Sequence, residues 1–244
     1  MSTNLSEKNT AKTYKISPIS EYLREITYGG TDGIVTTFAV VAGYTGASLG
    51  GNAAAFSFVA VLLFGLANLF ADASSMGLGN FLSIRSEKEV YKKEKNKERH
   101  EIRTNQINEK EETINILMNK GFSQDDAEKL ASIYKNNEEY WVEFMMNYEL
   151  EMSNPEGTNP FLTGFITFIS FIIFGFLPLI PYLVLDSIEL AFTLSAIGAA
   201  LALAMLGIIR WRATNESLLK AVMETLVLGS VSAIIAFLVG SFFN

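Results

Sequence analysis

Apolar stretches of bilayer-spanning length flank one long charged segment, Ser83 to Pro160, and that alternation constrains the fold of this chain more than any other feature. About 20 mostly apolar residues cross a hydrocarbon core. Only helices and closed barrels satisfy their backbone groups there, and continuous apolar runs without alternation select helices. The runs predict five spans, at about Thr27 to Leu49, Ala53 to Leu82, Phe161 to Leu183, Ile188 to Ile209 and Leu218 to Phe243. Pro178 and Pro181 are expected to kink or end the third. The expected fold class is an all-α membrane protein of five transmembrane helices, with a cytoplasmic three-helix insert between spans 2 and 3.

Domain boundaries follow from the same composition shifts. Residues 1–15 read as a mobile cytoplasmic tail without a cleavable leader. Residues 16–83 hold an amphipathic helix and spans 1 and 2, residues 84–158 the insert, and residues 159–244 spans 3 to 5. Ser17-Pro18 suits a helix start. Behind it Glu21, Glu25 and Asp32 fall on one helix face, at about 100° per residue. Along the second span Asn68, Asp72, Met76 and Asn80 recur every fourth residue as a polar stripe. In the insert, helices are expected to about Arg103, from Asn108 to Asn119 with Gly121 as the C′ residue, and from a Ser123/Asp126 capping box to about Ser153. Leu130, Ile133, Tyr134, Trp141 and Phe144 of the last should form a packing face.

All 19 Lys and Arg fall in the tail and its following helix, the insert, or the Arg210–Lys220 loop. The Gly46–Asn52 turn, the Asp186 loop and the C-terminal end have none. Positive residues gather on the cytoplasmic side, so this partition predicts a cytoplasmic N-terminus and an external C-terminus. Trp211 and Tyr182 stand at span ends, where interfacial aromatics are expected. Glu224, one turn past Lys220, reads as an interfacial pair or a snorkelling group.

The net charge of −7 is concentrated in the insert, where 17 Asp and Glu face 12 Lys and Arg. That acidity excludes a phosphate-backbone partner, hence nucleic acid. The absence of cysteine removes disulfides, thiolate chemistry and Cys-based metal sites. What remains is oxygen and thioether. Glu98-x-x-Glu101, Glu109-x-x-Glu112 and Met145-Met146-x-x-Glu149 could converge on divalent metal if their helices pack together. Carboxylates suit Fe²⁺ and Mn²⁺, and thioether sulfur tips the set away from Mg²⁺ and Ca²⁺. A single Glu-x-x-Glu is more often a solvated face; three clusters together favour a site. His100 has no ligand-spaced partner and reads as solvated. Charged groups in a span are costly and so call for a role. Asp32 is the stronger case, while Asp72 could equally serve to hydrogen-bond helices together.

The run Asp32-Gly33-Ile34-Val35-Thr36-Thr37-Phe38-Ala39-Val40-Val41-Ala42-Gly43, with Ala67–Asp72, Ser75–Asn80 and Trp141–Met146, resembles the vacuolar iron transporter family. The resemblance covers nearly everything from Glu21 onward. It implies a homodimer of five-span protomers that moves Fe²⁺, and often Mn²⁺, out of the cytoplasm in exchange for protons, in a cell membrane if prokaryotic or a vacuolar one if eukaryotic. The implied entrance is Glu21 and Glu25, and the mid-membrane site Asp32 with Met76. The implied metal-binding set is Glu98, Glu101, Glu109, Glu112, Met145, Met146 and Glu149. A carboxylate that eukaryotic members carry at the position of Asn68 stands here one turn on, at Asp72.

Two other classes compete with a transporter. A membrane di-iron carboxylate oxidase would need Glu-x-x-His from two helices, and the chain has one histidine and no such motif. A non-transporting metal sensor would use the same insert. No nucleotide-binding glycine loop with lysine is present, so transport would run on an ion gradient. The expected partners are divalent transition-metal ions, protons, lipid and a second copy of the chain, with no resident cofactor.

Overall fold

The computed structural model describes residues 17–48, 58–185 and 187–242. Expectations for the tail 1–15, for Gly50 and Gly51, for the start at Ala53 and for Asp186 lie outside the described residues. All regular structure among those described is helical. The chain divides into two compact units, Met1–Met76 with Ile166–Asn244, and Gly77–Phe165.

In the first unit, α1 (Pro18–Glu21) starts where Ser17-Pro18 predicted, with Ser17 Oγ accepting from the Ser20 N–H at 3.2 Å. Only Tyr22 separates it from α2 (Leu23–Ser48). The 47-residue α3 (Phe58–Thr104) contributes its apolar start. α7 (Pro160–Phe176) is broken where expected: a 3₁₀ turn at Leu177–Leu179 carries Pro178, and α8 (Ile180–Val184) carries Pro181. α9 (Ile188–Ala213) and α10 (Leu218–Phe242) complete the unit.

Two apolar clusters hold these helices together. Val41, Val61, Leu69, Ala73, Phe171 and Leu179 form one, and Ile34, Phe174, Leu203 and Leu206 anchor the other. Apolar packing alone would leave helix axes ~8–10 Å apart; small residues bring α2 and α7 closer. A Cβ added at Gly29 would lie 2.7 Å from the Thr167 carbonyl oxygen, and one at Gly33 would collide with the Phe171 backbone. This is the small-residue packing typical of helices in lipid, where apolar area alone gives no reason to associate. Leu63, Phe64, Leu201, Leu219 and Ile235 point outward, as side chains facing hydrocarbon do.

Four helices among the described residues are long and apolar enough to cross a membrane: Val59–Thr104, Pro160–Val184, Glu189–Ala213 and Leu218–Phe242. α2 is the remaining candidate. It is long enough, at ~39 Å, but Arg24, Glu25, Asp32 and its glycines and threonines leave it less apolar. Its buried face, including Ile34, Thr37, Val41 and Ala42, is covered by protein, and a helix shielded by its neighbours needs no apolar coat all round. Tyr182 departs from expectation: it is fully buried among Val41, Phe171 and Leu179 rather than placed as an interfacial aromatic.

The second unit holds the rest of α3, α4 (Gln106–Asn119), α5 (Gln124–Tyr134), α6 (Glu138–Tyr148) and the first residues of α7. Gly121 ends the α4 segment at φ +98°, a left-handed conformation that glycine adopts without strain. Ser123 caps α5 by accepting from the Asp126 N–H at 3.3 Å. The single helix expected from Ser123 to Ser153 is instead two. The chain turns at Lys135 to Asn137, and Asn137 Oδ1 starts α6 by accepting from the Tyr140 N–H at 3.2 Å. Trp141, Val142, Phe144, Met145 and Met146 pack on Tyr91, Ile102 and Leu117. Ile133, expected in this face, is exposed. A ladder of ion pairs fixes α6 against α3: Lys95–Glu139 at 2.6 Å, Arg99–Glu139 at 2.5 Å and Arg103–Glu138 at 2.7 Å.

Candidate metal centre and membrane carboxylates

Breaking the expected third helix allows the site to assemble. Glu98 lies on α3, Glu109 in the first turn of α4, and Glu149 just past the end of α6; one carboxylate oxygen from each lies within 4.8 Å of the others. Glu98 and Glu109 are only 2% and 5% exposed, so two of the charges sit out of water. Glu98 Oε1 and Glu109 Oε2 are buried without a hydrogen-bond partner, a costly arrangement for a carboxylate unless something else satisfies it. Glu149 is the exposed member of the three.

The electrostatics follow from that crowding. Burial, and then the negative charges of Glu149 and Glu109, push the Glu98 carboxyl up to about 8. Burial and the neighbouring Glu112 raise Glu109, and burial and Glu112 raise Glu149 as well. The Glu98 carboxyl therefore keeps its proton at neutral pH, and Glu109 and Glu149 are shifted in the same direction. A divalent cation can displace that proton and neutralise the site.

The two methionines lie in the apolar core of this unit. Met145 and Met146 are both fully buried, and Met145 Sδ is 3.4 Å from Thr113 Oγ1. Thr113, one turn beyond Glu109, donates to the Glu109 carbonyl at 2.7 Å and accepts from Trp141 Nε1 at 2.8 Å. The donors the structure brings together are carboxylate oxygens, hard ligands that suit divalent Fe²⁺ and Mn²⁺. Glu101 and Glu112 do not join the close triad. Glu101 is half-exposed and 3.6 Å from Lys97 Nζ, and Glu112 is exposed. Residues i and i+3 point ~60° apart around a helix, so one member of each Glu-x-x-Glu pair is interior and the other lies at the rim. His100 is exposed, as expected.

In the membrane unit the members of the acidic line differ in burial. Glu21 is exposed, Glu25 is buried and Asp32 is half-buried on α2. On α3, Asn68 Nδ2 donates to Asp72 Oδ2 at 2.8 Å, which makes Asp72 an acceptor held by its own helix. Met76 is half-buried, packed against the cluster of Leu69 and Ala73. Glu224 is ion-paired, joining Glu216 on Arg210 Nη2, each at 2.6 Å.

The residues that sequence reasoning missed are Thr113 and, as a hydrogen-bond donor, Trp141. Thr113 stands four residues after Glu109 and reads as ordinary helix sequence; only the packing of α6 over α4 gives it a partner.

Comparison with known proteins identifies the family. The VIT family model matches residues 23–241. Vacuolar iron transporter 1 of Arabidopsis thaliana is 29% identical over 225 residues, spanning 92% of this chain and 87% of the relative. The vacuolar iron transporter of Toxoplasma gondii is 32% identical over 231 residues, spanning 91% and 74%. That of Plasmodium falciparum is 31% identical over 227 residues, spanning 89% and 81%. The match runs through the membrane helices and the charged unit alike, and the chain belongs to the VIT family, a multi-pass membrane protein of a transporter family and not an enzyme.

Proposed function

We propose that the chain moves Fe²⁺ and Mn²⁺ out of the cytoplasm in exchange for protons, as a homodimer of five-span protomers with cytoplasmic N-termini. Metal is captured by the Glu98, Glu109 and Glu149 carboxylates, with Glu101, Glu112, Met145 and Met146 of the expected set around them. It then follows a membrane path of Glu21, Glu25, Asp32, Asn68, Asp72 and Met76. The observation that carries this reading is the triad itself: three segments of chain deliver carboxylate oxygens to within 4.8 Å, two of them buried with unpartnered atoms. No folding advantage explains such a cluster, whereas a divalent cation does. Proton exchange follows from the same chemistry, since carboxyls that hold protons must release them to bind metal and recover them when it leaves. Five crossings are supported by the one-sided Lys and Arg distribution, with α2 as the fifth span.

Calorimetry on the full-length protein in detergent, with Mn²⁺ in two buffers of different ionisation enthalpy, tests capture. Binding should release protons and weaken as pH falls. The double variant Glu98→Gln, Glu109→Gln should lose the site, and unchanged affinity in that variant means that the triad does not hold the metal.

A further inference from the structure

A cavity of about 330 Å³ lies between α3 and the turn at Pro155 and Glu156, within the second unit, and none of the triad glutamates lines it. Lys88, Lys92, Lys95 and Arg99 line it from α3. At ~100° per residue they share one helix face within about 60°. Lys88 Nζ donates to the Glu156 carbonyl oxygen at 3.2 Å, which ties the turn to the helix. Lys95 and Arg99 are committed to α6, the first to Glu139 and Glu143 and the second to Glu138 and Glu139. Lys92 is exposed and pairs with no carboxylate among the described residues. Tyr91 lines the same cavity. It is 3% exposed, with its ring in the apolar core, and its hydroxyl is buried without a hydrogen-bond partner among the described residues.

A buried hydroxyl without a partner is costly. Burial pushes the Tyr91 hydroxyl above its ordinary value of 10, so it meets a ligand as a donor. The missing partner is therefore an acceptor, and lysines beside it favour one that is negatively charged. Glu89 and Glu156 also line the cavity, and Glu138, Glu139 and Glu143 occupy Lys95 and Arg99. These carboxylates cancel most of the positive field, so a diffuse or singly charged anion gains little. A phosphate dianion has the charge and the acceptor oxygens to meet Tyr91, Lys88 and Lys92 together. The cavity also stands beside the bilayer. Leu82, an exposed residue at the end of the apolar part of α3, precedes Lys88 by six residues, ~9 Å along the helix. The turn at Pro155 and Glu156 leads into α7 at Pro160, where Phe161 is exposed. Both walls run directly into apolar helix, which puts the cavity near the depth of lipid headgroups.

We propose that this cavity binds a phosphate dianion, carried by a phosphomonoester lipid headgroup or free in solution, with Tyr91, Lys88 and Lys92 as its donors. The place of the cavity beside the bilayer favours the headgroup. Lys88 already spans from α3 to the turn, so an occupant it shares with Lys92 braces the segment that leads into α7. The proposal stands apart from metal capture, since no triad carboxylate takes part. A basic residue near a membrane surface contributes roughly fivefold to the binding of an anionic lipid. A hydrogen bond to a charged group contributes about tenfold or more.

The test uses the full-length protein in detergent at about pH 8, where a phosphomonoester is doubly charged. The probes are short-chain phosphatidic acid, short-chain phosphatidylglycerol as the singly charged control, and inorganic phosphate as competitor. Phosphatidic acid should bind once per chain and about tenfold or more tighter than phosphatidylglycerol. The double variant Lys88→Gln, Lys92→Gln should bind it about 30-fold more weakly, and Tyr91→Phe about tenfold more weakly. Tyr91→Phe removes an unpartnered hydroxyl, so its ligand-free melting temperature should be no lower than native, which separates lost contact from lost fold. Lys93→Gln, an exposed lysine of the same helix that does not line the cavity, should bind as the native protein does. Inorganic phosphate that competes at equal concentration assigns the ligand to solution; competition only at tenfold or greater excess assigns it to the headgroup, and both results support the site. Failure of both phosphate probes to bind, phosphatidylglycerol binding as tightly as phosphatidic acid, or native affinity in the lysine and Tyr91 variants would overturn the proposal.

Discussion

Glu98→Gln should make the metal-free protein more stable at pH 8 while weakening its metal binding. The Glu98 carboxyl is pushed from its ordinary 4.5 up to about 8, first by burial and then by Glu149 and Glu109. Below pH 4.5 it is protonated in folded and unfolded chains alike. Between 4.5 and about 8 the unfolded chain loses the proton and the folded one keeps it, so stability falls as pH rises and levels off once both are ionised. At ~1.36 kcal/mol for each factor of ten, the upper bound on that loss is about 5 kcal/mol. Glu109 and Glu149 share the burden and the site relaxes, so about half the bound, roughly 2 kcal/mol, is the working magnitude. Gln keeps the shape without the charge. Thermal melts followed by tryptophan emission should place the variant about 4–8 °C above the native protein at pH 8, at 2–4 °C per kcal/mol. The gap should close to under about 1 kcal/mol at pH 5. Mn²⁺ at a hundredfold excess over its dissociation constant should then raise the native protein by about 2.7 kcal/mol and leave the variant unmoved. A variant that melts at or below the native protein at pH 8, or a gap that does not close at pH 5, refutes the reasoning.

Gly33→Ala should cost about 1–3 kcal/mol in the same melts, because its Cβ meets the Phe171 backbone, which cannot rotate away. Gly79→Ala, with nothing within 4 Å of the added carbon, should stay within about 1 kcal/mol of native. Arg210→Ala leaves Glu216 without its cation and Glu224 with only Lys220 at 3.9 Å, and should cost about 1–2 kcal/mol. Arg103→Ala removes an exposed pair with Glu138 and should cost under about 1 kcal/mol.

Much of the helical framework was legible because each boundary carries its own chemistry: Pro18 behind Ser17, Gly121 at positive φ, Ser123 before Asp126, and Pro178 and Pro181 at the break after α7. The turn at Lys135 to Asn137 was not, since it contains neither Gly nor Pro. The signal there is Asn137 followed by Glu138 and Glu139, a side-chain cap and an acidic first turn. A helix-wide apolar pattern read through Tyr134 and Trp141 hides it. The candidate site was legible as three clusters but not as a triad. Spacing alone cannot say which member of Glu98 and Glu101, or of Glu109 and Glu112, turns inward; the packing of α4 and α6 on α3 decides that. Thr113 was illegible for a related reason, as its partners Trp141 and Met145 are 28 and 32 residues away in sequence. Asn68 and Asp72 were read as one stripe, and the hydrogen bond between their side chains accounts for it.

Simultaneous recording of metal and proton flux in liposomes containing the full-length protein tests the transport account most directly. With Fe²⁺ or Mn²⁺ on the cytoplasmic face and an imposed pH gradient, native protein should carry metal one way and protons the other in a fixed ratio. Asp32→Asn keeps size and hydrogen bonding but removes the charge and the titratable proton, and both fluxes should fall together. Metal flux at the native rate with native proton coupling in that variant would contradict the account and shift the membrane step to Asp72.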